Sequence, residues 1–320
     1  INMDSEDEGE LTVGCAGGIN VSASKKNTAE DTPSGSTANK LQVKGMKGGH
    51  SGLDINMGRA KANKHLFRFL MQAEADLQIR ISEAQGGDLR NAIPRESGAL
   101  VLVPERKISA FEKLVADYHE MYRKEFAETE PDLSFTSEAA ALPAKVVPAD
   151  DQARFIRALY ACPNGVQRMS QSMPGLVETS NNLAIASIRD GEFTALNLTR
   201  SSVDSAKDAT AWKIAGVFQL IGAEVEMEGS YPGWKPNMDS AILKVCQDVY
   251  QRNFNKAAKI SAMHAGLECG LLGGVYPNLD MISFGPTIRF PHSPDEKVHI
   301  ETVKKFWDFL VLILEDIPAK

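Results

Sequence analysis

The chain has 320 residues, of which 43% are hydrophobic and 24% are charged, as expected for a globular protein large enough to hold two domains. A net charge of −7, without a block of lysines and arginines, argues against binding to nucleic acid or anionic lipid. The longest apolar run, near 309–314, is too short to span a bilayer. The four cysteines form no C-x-x-C pair, so we expect free thiols in a reducing compartment.

Residues 1–10 begin with Ile and are predicted to form the end of a buried strand that runs into an acidic loop. Such an edge normally follows earlier structure, so we predict that the chain is a fragment whose upstream part is missing. Asp4 ends the apparent strand, where the carboxylates of α/β sheets commonly bind ligands. The alternative is a solvated charged loop. In addition, a single carboxylate cannot select a metal.

The middle of the chain contains two rounds of strand, helix, strand, strand and helix. Apolar periodicity predicts a first round with strands over 37–44, 77–82 and 99–103 and helices over 54–72 and 108–126. The second round has strands over 132–136, 177–188, 192–199 and 223–227 and helices over 150–160 and 205–221. Two such rounds predict an α+β layer, which would fit a duplicated unit.

After a break at 229–234 the pattern becomes typical of an α/β fold. It predicts helices over 240–254 and 299–317 and strands over 259–263 and 279–284. We therefore interpret the chain as an α/β domain in two pieces, 1–17 and 229–320, into which an α+β domain, 18–228, is inserted.

A glycine-dense turn places His50 between a predicted strand and a predicted helix. Its glycines allow close approach of the backbone to a ligand, and nearby N–H groups favour an anion. The turn is not a P-loop, since the Lys-Ser/Thr pair is missing. The alternative is an incidental histidine at the start of a helix.

Two further polar residues of the middle segment are candidates for substrate contacts. Asn91, in Asn-Ala-Ile-Pro94, can both donate and accept hydrogen bonds, although a turn asparagine before proline is common. Arg200 follows an apolar strand and needs an anionic partner, either a bound carboxylate or an internal partner such as Asp204 or Asp208.

Near the end of the chain, His292 lies between two prolines, which predicts a stiff loop suited to holding a metal ligand. A surface turn that contains a histidine is the alternative. His264 and Glu268 are four residues apart, but the intervening glycine favours a loop at a pocket wall over a helical zinc pair. The sequence contains no G-x-S-x-G, H-E-x-x-H or Rossmann motif.

Several segments together resemble the bacterial aminoacyl-histidine dipeptidases, also called β-alanyl-histidine dipeptidases or carnosinases. This group belongs to the di-zinc family that includes carboxypeptidase G and the aminoacylases. The segments are Asn2-Met-Asp-Ser-Glu-Asp-Glu-Gly-Glu10, Gly14-Cys-Ala-Gly-Gly18, Lys44-Gly-Met-Lys-Gly-Gly-His-Ser-Gly52, Asn91-Ala-Ile-Pro-Arg-Glu96, Tyr231-Pro-Gly-Trp234, His264-Ala-Gly-Leu-Glu-Cys-Gly270 and Pro291-His-Ser-Pro-Asp-Glu296.

The resemblance implies an α/β catalytic domain, only partly contained in this chain, that is interrupted by an α+β lid or dimerisation domain. Asp4 and His292 would each bind one of two zinc ions, for which manganese or cobalt could substitute. His50 would stabilise the oxyanion, and Asn91 and Arg200 would hold the substrate, with Arg200 on its C-terminal carboxylate. The resemblance gives Glu268 no specific role, and we assign it to the pocket wall as a further candidate substrate-binding residue.

The same family also needs a His-x-Asp, a bridging Asp and a Glu-Glu pair that supplies the general base, and this chain contains no such set. We therefore expect the intact protein to be a cytoplasmic, homodimeric zinc dipeptidase that hydrolyses Xaa-His dipeptides such as carnosine, and the chain alone to be inactive. The alternatives are a non-catalytic lid and dimerisation fragment, and a sister tripeptidase or deacylase of the same family.

Overall fold

The computed structural model describes residues 1–290 and 294–317. These residues contain seven α-helices: α1 (Ala62–Leu77), α2 (Ile108–Glu125), α3 (Ala149–Ala161), α4 (Asp204–Gln219), α5 (Ala241–Phe254), α6 (Glu268–Val275) and α7 (Ile300–Asp316). They also contain 17 strands: β1 (Glu10–Cys15), β2 (Gly17–Lys26), β3 (Glu30–Asp31), β4 (Ser36–Lys44), β5 (Gly49–His50), β6 (Arg80–Gly86), β7 (Ala92–Ile93), β8 (Ser97–Pro104), β9 (Ser134–Ala140), β10 (Lys145–Val146), β11 (Gly165–Met169), β12 (Val177–Arg189), β13 (Glu192–Ser201), β14 (Glu224–Tyr231), β15 (Lys259–Met263), β16 (Ile288–Arg289) and β17 (Lys297–Val298). No helix in the described part is long and apolar enough to cross a membrane.

One large antiparallel sheet forms the scaffold of the middle of the chain. Its strand order is β14-β2-β13-β12-β6-β8-β4-β9, with β11 paired to β12 outside this row. Alternate residues of its strands, such as Val21 and Ala23 of β2, join a hydrophobic core that they share with α1, α2, α3 and α4. The other face of the sheet is therefore left for polar side chains.

This sheet consists of two halves with the same internal order. Along the chain the first half runs β4, α1, β6, β8, α2, β9, and the second runs β2, α3, β12, β13, α4, β14. In each half the spatial order is second, third, first and fourth strand, and the two second strands, β6 and β12, pair antiparallel at the centre with Ala186 opposite Gly86. The sheet therefore has approximate two-fold symmetry within one chain.

Aromatic side chains fill the core of the first half. Phe69 of α1 is fully buried, and its ring meets those of Phe111, Tyr118 and Phe135 edge-on at centroid distances of 4.7 to 6.0 Å. Contacts of this kind stabilise a core beyond the burial of apolar area. α1 also packs against α3, so the helices of the two halves meet across the centre as the strands do.

Most predicted elements are present, but the first helix lies further along the chain than predicted. The helix expected over 54–72 begins at Ala62 and continues to Leu77, where Gln78 adopts a left-handed conformation. Gly58 has a φ of +68°, which a continuous helix from residue 54 could not contain. The predicted hairpin is confirmed, with positive φ at Asp190 and Gly191 as a type I′ turn requires.

A second hydrophobic cluster combines the start of the chain with its C-terminal part. β1 pairs parallel with β15, and Leu11 and Val13 of β1 pack with residues of α5 and α7 such as Val249 and Phe309. Ser240 caps α5, since its Oγ accepts a hydrogen bond from the Leu243 N–H at 3.2 Å. The division into 1–17, 18–228 and 229–320 remains a prediction, which this second cluster favours.

The two chain segments that connect these regions run side by side. Cys15 and Trp234 exchange backbone hydrogen bonds of 2.9 Å in both directions. A Cβ on Gly17 would lie 2.4 Å from the carbonyl oxygen of Tyr231, so only glycine permits this approach. The glycines of 14–18 therefore allow the close contact between the two connections.

Candidate functional site

The glycine-dense turn brings two predicted site residues, His50 and Asn91, next to each other. His50 lies in the short strand β5, which pairs with β7, and the Ser51 N–H donates to the Asn91 carbonyl at 2.8 Å. The His50 N–H donates to the Asp54 carboxylate, also at 2.8 Å, which fixes the turn on its other side. Asn91 itself is exposed.

Backbone donors determine which nitrogen of the His50 ring carries the proton. Nδ1 accepts from the N–H groups of Gly52 and Leu53, at 3.2 and 3.1 Å. In the neutral ring the proton must therefore lie on Nε2, which makes Nε2 a donor. Burial and the nearby positive charge of Arg200 lower the pKa of His50, and Asp54 opposes this shift only in part. The site thus favours a neutral histidine whose proton is on Nε2.

Arg200 places a buried guanidinium close to this histidine. Its side chain donates from Nη1 to the Tyr231 hydroxyl at 3.2 Å and from Nε to the Ser51 hydroxyl at 3.4 Å. Burial lowers its pKa. Within residues 1–290 and 294–317, Arg200 forms no salt bridge, and Asp204 instead pairs with Lys207 at 3.0 Å. A guanidinium in this state is suited to binding an anion.

Cross-strand register places four polar or small residues in one row on the face of the sheet that carries Arg200. Ser180 of β12 lies opposite Arg200 of β13, Arg200 lies opposite Gly18 of β2, and Gly18 lies opposite Tyr231 of β14. Residues that pair in this way project from the same face of an antiparallel sheet. We call Ser180, Arg200, Gly18 and Tyr231 the polar row.

His264 connects the polar row to the C-terminal region. Its Nε2 lies 2.7 Å from the Ser180 Oγ, and the side chain is buried. Burial and the charges of Arg200 and His50 lower its pKa to about 3. A Cβ on Gly52 would lie 2.1 Å from the His264 carbonyl oxygen, so the glycine-dense turn packs directly against this segment. As predicted, His264 lies in a loop, and Glu268 begins α6.

Asp4 and Glu268 lie around a shared neighbour, Asn2. The Asn2 side-chain amide donates to the Glu268 carboxylate at 3.1 Å, and its Oδ1 accepts from the Asp4 N–H at 3.1 Å. Asp4 is exposed and belongs to no strand, although Asn2 bridges to Ser283 in the parallel direction. His292 lies outside the described residues, so its predicted convergence with Asp4 stays a prediction.

A metal site is not complete within the described part of the chain. No group of three or more His, Cys, Asp and Glu side chains among residues 1–290 and 294–317 could hold a metal ion. Asp4 supplies one carboxylate at an exposed position, which alone does not fit a zinc site. The roles of Asp4 and His292 as ligands therefore remain predictions.

Sequence reasoning missed Ser51, Ser180 and Tyr231 as members of the site. Serines have too many roles to be recognised singly, and Ser180 becomes informative only through its position opposite Arg200. A signal did exist for Tyr231, because Tyr-Pro-Gly-Trp is one of the segments that carry the family resemblance.

Comparison with known proteins gives consistent matches along the whole chain. Residues 41–130 match the peptidase dimerisation domain M20_dimer. The chain is 44% identical, over all 320 residues, to the cytosol non-specific dipeptidase of Escherichia coli strain K12 and spans 66% of its length. It is also similar to the crystal structure of aminoacylhistidine dipeptidase from Vibrio alginolyticus, with 46% identity, a TM-score of 0.95 and coverage of 100% of this chain and 65% of that one.

Proposed function

Because the chain belongs to the M20 peptidase family, we propose that the full-length protein is a metallo-dipeptidase that hydrolyses the peptide bond of Xaa-His dipeptides such as carnosine. The observation that carries this proposal is the buried guanidinium of Arg200, which has no carboxylate partner in the described residues and lies close to the neutral His50. A dipeptide offers its C-terminal carboxylate to Arg200 and its peptide carbonyl oxygen to His50.

In this proposal His50 stabilises the oxyanion that forms when the peptide carbonyl is attacked. Its two backbone donors hold the ring with the proton on Nε2, so the group is oriented before the reaction and needs no rearrangement. A neutral histidine can donate this hydrogen bond, and because its ring carries no positive charge, there is no cost of burying one.

Arg200 would bind the C-terminal carboxylate of the substrate. Tyr231 of the polar row and Ser51 of the glycine-dense turn hold its guanidinium from two sides. The exposed Arg90 adds a second positive charge that contributes to lowering the Arg200 pKa. Asn91, joined to Ser51 through the backbone, would contact the peptide, and Glu268 would line the same pocket. His50, Asn91 and Arg200 keep the roles that the family resemblance implies.

M20 enzymes are metallopeptidases, and metal ions are therefore expected in the full-length protein. We propose two zinc ions, with manganese or cobalt as substitutes, and Asp4 and His292 among their ligands. When bound, such ions activate a water and polarise the carbonyl of the scissile bond. The functions proposed for His50 and Arg200 depend on protein groups alone. Elemental analysis of the purified protein measures which metal it holds.

For assembly and location, the proposal is a cytoplasmic homodimer. The match to a peptidase dimerisation domain and the similarity to the cytosol non-specific dipeptidase support it. Strand β6, at one end of the first half, already pairs with β12 of the same chain. The dimer would then use another surface, such as the edge strand β9 or β14. Sedimentation of the full-length protein with charged substitutions on either edge tests this assignment.

Two other functions are distinguishable by experiment. A sister tripeptidase or deacylase would share the fold and the buried arginine, and a non-catalytic lid and dimerisation fragment would share the fold without turnover. The deciding assay offers the full-length, metal-loaded protein carnosine and other Xaa-His dipeptides, tripeptides and N-acyl amino acids. We expect the highest kcat/KM for Xaa-His dipeptides. A preference for tripeptides or N-acyl substrates, or no turnover of any, would contradict the proposal.

A further inference from the structure

The phenol of Tyr231 has an unusual position relative to Arg200. Both residues lie opposite Gly18, one on each neighbouring strand, and the tyrosine ring crosses the glycine to reach the guanidinium. A Cβ on Gly18 would lie 2.7 Å from the tyrosine Oη and 2.8 Å from the ring carbons Cε1 and Cζ. Gly18 is therefore the residue that allows the Tyr231 hydroxyl to meet Arg200.

The ring is fixed from other directions as well. A Cβ on Gly266, in the loop after His264, would lie 3.3 Å from Cε2 of Tyr231, so this loop closes over the ring. The carbonyl of Tyr231 accepts a hydrogen bond of 3.0 Å from the buried Lys207 ammonium, which holds the backbone. With the backbone and two sides of the ring constrained, the hydroxyl has little freedom to leave Arg200.

The direction of the hydrogen bond determines what the hydroxyl can still do. Arginine only donates, so the Tyr231 oxygen is the acceptor in its contact with Nη1. The hydroxyl hydrogen is then available, and within the described residues no acceptor takes it. The Arg200 Nη1 and the Tyr231 oxygen are only 3.2 Å apart. A ligand that accepts a hydrogen bond from Arg200 can therefore accept one from this hydroxyl hydrogen as well.

We propose that Tyr231 is a substrate-binding and positioning residue, whose oxygen fixes the Arg200 guanidinium and whose hydroxyl hydrogen donates to the same carboxylate that Arg200 binds. This inference rests on the proposed function, since the carboxylate is the C-terminal group of the dipeptide. The Tyr231 hydroxyl would add a neutral donor to the charged donor of Arg200. Together the two donors distinguish a carboxylate from a carboxamide, because a carboxamide has only one oxygen acceptor to offer them.

The experiment compares the wild-type full-length protein with Tyr231→Phe, using carnosine and carnosine C-terminal amide as substrates and L-histidine and L-histidinamide as ligands in calorimetry. We expect Tyr231→Phe to raise KM for carnosine, and Kd for L-histidine, by about tenfold while kcat and the affinity for the amides stay near wild type. Tyr160→Phe, which removes a hydroxyl from the exposed side of α3, should change none of these values.

Equal weakening of the acid and the amide in Tyr231→Phe would overturn the inference, because a general loss of structure does not select between them. No change in either would overturn it too. If Tyr231→Phe does not fold, wild-type protein with a ¹³C label in the Tyr231 ring replaces it. The NMR signal of the label must then change its chemical shift when L-histidine is added and keep it when L-histidinamide is added. An unshifted label, or no binding of L-histidine, would contradict the inference.

Failure of the proposed function gives a different result. In that case the wild-type protein does not hydrolyse carnosine, whatever the effect of Tyr231→Phe on L-histidine binding. Loss of carboxylate selectivity in calorimetry would then still support the contact between Tyr231 and a carboxylate, and unchanged selectivity would overturn it.

Discussion

The Nε2 of His264 lies 2.7 Å from the Oγ of Ser180, and this bond joins the C-terminal region to the polar row of the central sheet. Because His264 is buried, it is held neutral in the folded protein. The bond therefore makes the contact between the two regions sensitive to protonation.

We expect stability to fall as the pH is lowered below 6.5. The pKa of His264 is about 3 in the folded protein and about 6.5 in an unfolded chain. Above pH 6.5 both states are neutral and the stabilisation is complete. Between pH 6.5 and 3 only the unfolded state binds the proton, so each pH unit well inside this window costs about 1.4 kcal/mol. His65, with a pKa of about 4, acts in the same direction.

Urea unfolding at pH 7, 6 and 5 measures this dependence. His264→Gln retains a side chain that can bond to Ser180 but does not titrate, so its stability should fall less steeply with decreasing pH. An identical slope in the variant and the wild type would show that His264 does not titrate in this window.

For His50, we expect substitution by alanine in the full-length enzyme to lower kcat by about 10² to 10³, the usual cost of one oxyanion donor. The pKa of His50 is below its ordinary value, so the neutral donor should persist to below pH 6.5 and kcat should fall only under that pH. Steady-state kinetics from pH 5 to 8 provides the measurement. An unchanged kcat in His50→Ala would remove this residue from the mechanism.

For Arg200, substitution by methionine should separate stability from function. Methionine has a similar length and no charge, so the cost of burying an unpaired guanidinium disappears and the free energy of unfolding should rise by about 1–3 kcal/mol. Binding of the substrate carboxylate should weaken by roughly 1.5–3 kcal/mol, seen as a higher KM. Chemical denaturation and kinetics on one preparation test both effects, and a stable variant with normal KM would exclude the carboxylate role.

Two glycine substitutions should have opposite effects on stability. Gly52→Ala places a Cβ 2.1 Å from the His264 carbonyl, so the turn or the loop must shift, and we expect a loss of about 1–3 kcal/mol together with reduced activity. Gly216→Ala, inside α4 with no atom within 4 Å, should stabilise by about 0.5–1 kcal/mol. Thermal unfolding of both variants measures these changes. Equal effects would contradict the close contact at Gly52.

Local sequence patterns predicted the elements well where the periodicity was strong. The helix expected over 299–317 is α7, Ile300–Asp316, and the strand over 259–263 is β15. The predicted position of the first helix was wrong because the apolar residues of the turn after His50 are spaced as in a helix. The positive φ of Gly58 interrupts any helix through this turn. The sequence pattern also assigns the fourth strand of the first half, β9, to the second round, whereas the structure pairs it with β4 of the first half.

The site was predictable only in part, since its members lie far apart in sequence. His50, Asn91 and Arg200 could be selected as candidates from their glycine, proline and strand contexts. That Ser180, Gly18 and Tyr231 share a row with Arg200 depends on the register of four strands, which no local pattern contains. Strand register therefore limits how much of a binding site can be read from one sequence.

The internal two-fold arrangement of the sheet has a consequence for how such a site can evolve. When two identical subunits form a symmetric pair, every mutation appears on both sides of the axis. Here the halves are encoded separately, so the half that carries His50 and the half that carries Arg200 can change one at a time. A single chain can in this way specialise one half for the reacting carbonyl and the other for the end group of its ligand.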